Sequence, residues 1–164
     1  MTVLAVWTFA DAAAARKAEV ELASLSARGV LTIADGAVLT WPRGRRSPHT
    51  RQLQSLPLVA GLSSTFWGLL LGTVFFLPTL EPASDAAIIG QARADAKGFL
   101  RAIGLNDEFV ADLRSAVTFG RSALFALLAQ DPRPADDAFA HWAPQKCHVA
   151  LGEGTWQTLR AVFS

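Results

Sequence analysis

Residues 58–77, LVAGLSSTFWGLLLGTVFFL, carry no charge over twenty positions and lie between Pro57 and Pro78. Twenty residues is the length at which a helix crosses a bilayer. The run holds eleven Leu, Val or Phe residues. At roughly −0.3 to −0.6 kcal/mol each they favour insertion by about 3 to 6 kcal/mol in total. Hydroxyl residues and glycines offset part of that, so the run reads as a marginal span. It must therefore be covered by lipid, by its own domain or by another copy of the chain, because an apolar surface of this size is not left bare in water.

Small residues recur through the run four apart, at Ala60, Ser64, Gly68 and Gly72. A second ridge of the same spacing follows at Ala86, Gly90, Ala94, Gly98 and Ala102. Positions four apart stack on one helix face, and small residues there let two backbones approach closely. Each glycine costs a helix interior about 1 kcal/mol relative to alanine, so glycines in register call for compensating contact. The expectation is a helical hairpin over 58–103, bent at the connector TLEPAS. Asp85, Arg93, Asp95, Lys97 and Arg101 accompany the second ridge. At about 2.5 to 3.5 kcal/mol per central charge, that helix does not span.

The flanks carry a different pattern. Thr2–Phe9 is β-branched and aromatic and reads as a strand. Asp11 can cap a helix over 12–28, with Ala15, Val20, Leu22 and Leu25 on its apolar face and Gly29 as its stop. Asp35–Gly36 marks a turn or bulge, and Ala37–Trp41 a second strand. After the hairpin, Asn106 caps a helix over 107–117, Ser122–Ala129 reads as a strand, Pro134–Trp142 as a short helix, Lys146–Leu151 as a strand and Thr155–Phe163 as a closing helix. The fold class is α+β: a ferredoxin-like plait of two βαβ units around one antiparallel sheet, with the small-residue-rich hairpin inserted. Residues 1–164 form a single domain. It divides into a first βαβ unit (1–41), a basic loop (42–57) that reads equally as a solvent-exposed hairpin, the helical hairpin (58–103), and a helix with the second βαβ unit and the C-terminal helix (104–164). A single crossing by 58–77 would strand the two halves on opposite sides of the membrane. The run therefore reads as re-entrant, interfacial or buried between subunits.

The formal charge is +1, which argues against general nucleic-acid binding. Arg43, Arg45, Arg46 and Arg51 nevertheless cluster ahead of the apolar run, where each can meet an anionic headgroup for about 1 kcal/mol. The start of the chain lacks the basic n-region of a signal peptide. The sole cysteine, Cys147, excludes an internal disulfide and a Cys-rich zinc site. Its neighbour His148 points to the opposite face of a strand, so the two do not make a nucleophile–base pair. His49, His141 and His148 show no metal-ligand spacing. Asp136 and Asp137 lie in the first turn of a helix, where the dipole accounts for them. No G-x-S-x-G elbow surrounds Ser122. Catalytic residues, cofactors and metals are therefore not expected.

The segment GLNDEFVADLRSAVTFGRSALF (104–125), together with Trp67–Gly68, resembles the bacterial domain-of-unknown-function family twelve sixty-nine, small predicted membrane proteins. The matching positions are Gly104, Leu105, Phe109, Leu113, Gly120, Ser122, Ala123, Leu124 and Phe125. Phe119 stands where the family usually has proline, and the second middle helix is more charged than usual. The resemblance implies the architecture and a membrane association, with no activity or catalytic residue attached.

The resulting expectation is a non-enzymatic, membrane-associated or self-assembling protein. It would form a homo-oligomer, on the cytoplasmic side of a membrane, through a glycine-zipper-like hairpin. The residues expected at the oligomer or membrane contact are Ala60, Ser64, Phe66, Trp67, Gly68, Gly72, Phe75, Phe76, Gly90 and Gly98. Arg43, Arg45, Arg46 and Arg51 are the headgroup candidates. The alternative is a soluble cytoplasmic dimer of ferredoxin-like type that binds a small ligand or acts as an enzyme.

Overall fold

The runs TVLAVWTF and SALFALL lack the apolar–polar alternation of a strand with one wet face. The computed structural model of the chain, which describes residues 2–46, 48–53, 64–75, 98–152 and 154–163, shows why. They are the two central strands of a sheet covered on both faces, so both sets of side chains must be apolar. The elements in order are β1 (Thr2–Phe9), α1 (Ala14–Ala27), β2 (Ile33–Thr40), β3 (His49–Gln52), α2 (Ser64–Phe75), α3 (Asp107–Ala116), β4 (Ser122–Leu128), α4 (Arg133–Phe139), β5 (Gln145–Lys146), β6 (Val149–Leu151) and α5 (Thr155–Phe163). A helical stretch at 98–102 precedes α3.

The described strands order as β3-β2-β4-β1-β5, with β6 also on β1, and every pairing is antiparallel. β1 and β2 therefore run parallel on either side of β4, joined by α1. β4 and β6 run parallel on either side of β1, joined through α4. The architecture is α+β on an antiparallel sheet.

One face of the sheet packs Val3, Ala5, Trp7, Phe9, Leu124, Ala126 and Leu128 against α1 and against Ala135 and Phe139 of α4. The other packs Leu4, Val6, Leu39, Phe125 and Leu127 beneath α2, the stretch around Leu100–Leu105, α3 and Leu159 of α5. Helix α1 seats itself through Ala14, Ala15, Ala18, Leu22 and Leu25. Val20, expected on that face, is instead 72% exposed. The position beside it, Glu19, is buried and ion-paired with Arg51 of β3.

Two local rules hold the register. Asp35 sits at an irregularity between Ile33 and Asp35 opposite β4. Its buried carboxylate accepts from the Gly36 amide at 2.7 Å and from the Gln52 side chain at 3.1 Å. At Gly36 a Cβ would stand 2.7 Å from the Phe125 carbonyl oxygen and 3.0 Å from Leu53 Cγ, so only glycine fits between β4 and the end of β3. Within the basic 42–57 segment, read as a loop or a solvent-exposed hairpin, His49–Gln52 pairs antiparallel with β2.

Candidate functional site

Helix α2 carries twelve residues of the uncharged run 58–77. Apolar all round, it behaves as such helices do and goes under cover. Phe66, expected at an outer contact, is 0% exposed and Trp67 is 3% exposed, both packed into the cluster on the sheet. Leu70, Leu71 and Val74 complete that buried side. Gly68 is half-buried, and no described atom lies within 4 Å of where its Cβ would stand. The same holds at Gly98. Gly72 is buried and Phe75 half-buried. Ser64 opens the helix. Ala60, Phe76 and Gly90, with the expected hairpin bend, lie outside the described residues.

The C-terminal end of α2 is capped from α3. Arg114 donates from Nη2 to the Thr73 carbonyl at 3.1 Å and from Nε to the Val74 carbonyl. These carbonyls belong to the last described turn of α2. Beside this cap is a cavity of about 210 Å³ lined by Thr73, Leu100, Arg101, Leu105, Asp107, Val110 and Arg114. Arg101 is paired with Asp107 at 2.9 Å and Arg114 serves the helix, so both guanidinium groups are engaged.

The G-x-SALF segment forms a corner. Gly120, at φ +78°, donates its N–H to the Trp41 carbonyl at 2.7 Å. Ser122, fully buried, accepts from the Ala15 N–H at 3.1 Å and donates to the Asp11 carbonyl at 2.6 Å. A serine from a distant strand thus satisfies an N-terminal amide of α1, in place of a local cap. Ala123 and Phe125 then point to one cluster, and Leu124 to the other.

The same corner builds a rim. The Trp41 ring meets Phe119 edge-on, centroids 5.1 Å apart, and Phe75 at 6.3 Å. Its Nε1–H donates to the Arg45 carbonyl at 3.1 Å. Arg43, Arg45 and Arg46 are exposed, and the Arg43 side chain lies across Gly120. Arg51, expected to act with them, is instead held by Glu19, its Nη1 at 3.1 Å from Oε1.

At the opposite edge of the sheet lies a polar cluster that sequence reasoning missed. Residues 145–151 keep one register against β1, Trp7 opposite Lys146 and Leu4 opposite Val149. That register puts Cys147 opposite Val6, and the Cys147 N–H donates to the Val6 carbonyl at 2.9 Å. The returning bond goes elsewhere: the Val6 N–H donates to His148 Nδ1 at 3.1 Å. An imidazole thus stands in for a strand carbonyl. Because Nδ1 accepts, the ring proton is on Nε2, which donates to Asp136 Oδ1 at 2.8 Å. The same oxygen accepts from Trp7 Nε1 at 2.7 Å. Asp136, read as a dipole residue, is the hub of this cluster. Cys147 packs on the opposite face, where burial, and then the Asp112 carboxylate, pushes its thiol pKa up. Both nitrogens of His148 are used, which leaves the ring no free lone pair for a substrate or metal. No group of metal-binding side chains occurs among the described residues.

The family described as "Protein of unknown function (DUF1269)" matches residues 61–164. The chain belongs to this family. The matched span contains the whole corner motif, α2, Asp136 and His148, whereas the Asp11 and Trp41 partners of the corner and the Val6 and Trp7 partners of the polar cluster precede it. No curated protein and no solved structure matches the chain. No helix among the described residues is long and apolar enough to cross a membrane.

Proposed function

We propose that the protein is a non-enzymatic, self-assembling protein whose copies meet on α2 around Gly68. The observation that carries this reading is the division of that helix. Phe66, Trp67, Leu70 and Val74 are used up on the chain's own sheet, while Gly68 has open space around its Cβ position among the described residues. A glycine inside a helix costs about 1 kcal/mol relative to alanine. Nothing described within the chain compensates that cost at Gly68; close approach of a second helix does. The scaffold is a ferredoxin-like plait. The interleaving of β1 and β2 around β4, and of β4 and β6 around β1, supports this, as do helices α1 and α4 on one shared face.

The test is Gly68→Leu. A Cβ at position 68 meets no described atom within 4 Å, and circular dichroism checks that the fold of the variant stays intact. Light scattering behind size exclusion then reports a smaller assembly than wild type. An unchanged assembly with Leu at 68 refutes the reading.

A further inference from the structure

We propose that the rim formed by Trp41, Phe75 and Phe119 with Arg43, Arg45 and Arg46 is a docking surface for an anionic lipid bilayer. Phe75 is its one residue on α2, and Gly68, on which self-assembly rests, is not part of it. Phe119 is 60% exposed, an uncommon position for a large ring, and it stacks edge-on against Trp41. Water has little reason to keep Phe119 and the half-buried Trp41 and Phe75 together at a chain reversal. The interfacial layer of a membrane does, because it takes aromatic rings at headgroup depth.

The polar ends of the patch are already organised for such a surface. The Trp41 indole N–H is satisfied by the Arg45 carbonyl, so its ring enters an apolar layer without an open donor. That same bond holds the loop carrying Arg43, Arg45 and Arg46 beside the rings. None of these three arginines makes an ion pair among the described residues. Arg121 also lies at this rim, with its Nη1 on the Ala116 carbonyl. The acid whose main chain reaches the corner is Asp11, whose carboxylate accepts from the Ala13 N–H on the α1 side. Among the described residues, cationic charge therefore dominates the rim. The strands here are paired with each other, through Trp41 with Arg121 and Gly120 with Trp41. Among the described residues, the rings of the patch thus sit at neither a free strand edge nor a helix groove, the surfaces that peptides use. Rings backed by arginines at chain reversals fit a lipid surface.

Each arginine near an anionic surface raises partitioning roughly fivefold, so three give about a 100-fold preference for anionic over neutral vesicles. The full chain is sedimented with phosphatidylglycerol–phosphatidylcholine vesicles and with phosphatidylcholine alone. The expected result is binding to the anionic vesicles that falls with added salt. Phe119→Ser should weaken it about tenfold, from the ring area returned to water. The pair Arg45→Ser and Arg46→Ser should weaken it about 25-fold. The pair lies on an exposed loop and keeps the test available if Phe119→Ser fails to fold. Gly68→Leu should keep the preference for anionic vesicles, whatever it does to assembly, so the two proposals fail separately. Equal binding to neutral vesicles, or wild-type binding by the arginine pair, overturns the proposal. So does binding to polyglutamate without binding to vesicles, which would make the occupant an acidic chain.

Discussion

Replacing Ser122 by alanine tests the corner motif directly. In the folded chain its hydroxyl accepts from the Ala15 N–H and donates to the Asp11 carbonyl, with no part of the residue in contact with water. The two losses are unequal. The Asp11 carbonyl still accepts from the Ala14 N–H at 3.3 Å and is not abandoned. The Ala15 amide is buried and loses its acceptor outright. Leaving one such donor unsatisfied costs about 1–3 kcal/mol, the same range as removing a helix cap. The expected loss of stability is about 2 kcal/mol. Urea denaturation should show the midpoint falling with the slope unchanged, since the surface exposed on unfolding is the same. Hydrogen exchange supplies the local check: the Ala15 amide should exchange faster in the variant. Ser115→Ala is the control. Its hydroxyl bonds the Ala111 carbonyl on an exposed helix face, and its removal should stay within about 0.5 kcal/mol. A Ser122→Ala loss no larger than that of the control, or an unchanged Ala15 amide, refutes the assignment.

Asp136→Ala removes the acceptor shared by the Trp7 indole, which is fully buried, and by His148. Two donors lose their partner, and the expected cost is about 2–4 kcal/mol in chemical denaturation. Nitrogen NMR of the wild-type protein should find His148 with an acceptor Nδ1 and a protonated Nε2. The other tautomer would break the account of how Val6 is satisfied. Cys147 should alkylate more slowly at neutral pH than a free thiol, because burial and Asp112 both disfavour the thiolate. Asp112→Asn should shift the alkylation profile to lower pH, and an unmoved profile removes Asp112 from the explanation. The folded thiol holds its proton more tightly than the unfolded one. The stability it lends is therefore complete below the unfolded pKa and is lost as pH rises through the folded pKa.

Local chemistry made much of the fold legible. β-Branched and aromatic runs announce β1 and β4 because those residues suit a pleated, covered surface. Asn106 announces α3, and its side chain accepts from the Phe109 N–H at 3.0 Å. Gly120 announces a positive φ, and Asp35–Gly36 an irregular register. The arrangement of residues about the sites was less legible. The sequence reading gave Arg51 to a basic loop and Asp136 to a helix dipole. Each is instead bound to a residue 32 or 12 positions away, or farther in the case of Trp7. Periodicity reports which face of an element is apolar, but not which element covers it.

The apolar run shows where that boundary falls. By itself the sequence determined that 58–77 is an uncharged, apolar run that cannot face water. Only the tertiary structure decided what covers it. The sheet has a second apolar face, with Leu4, Val6, Leu39 and Phe125, and Phe66, Trp67 and Leu70 lie on it. Burial free energy depends on apolar area and is indifferent to its source. Lipid, a second copy and the chain's own sheet therefore write the same sequence, and only the pairing of the strands distinguishes them.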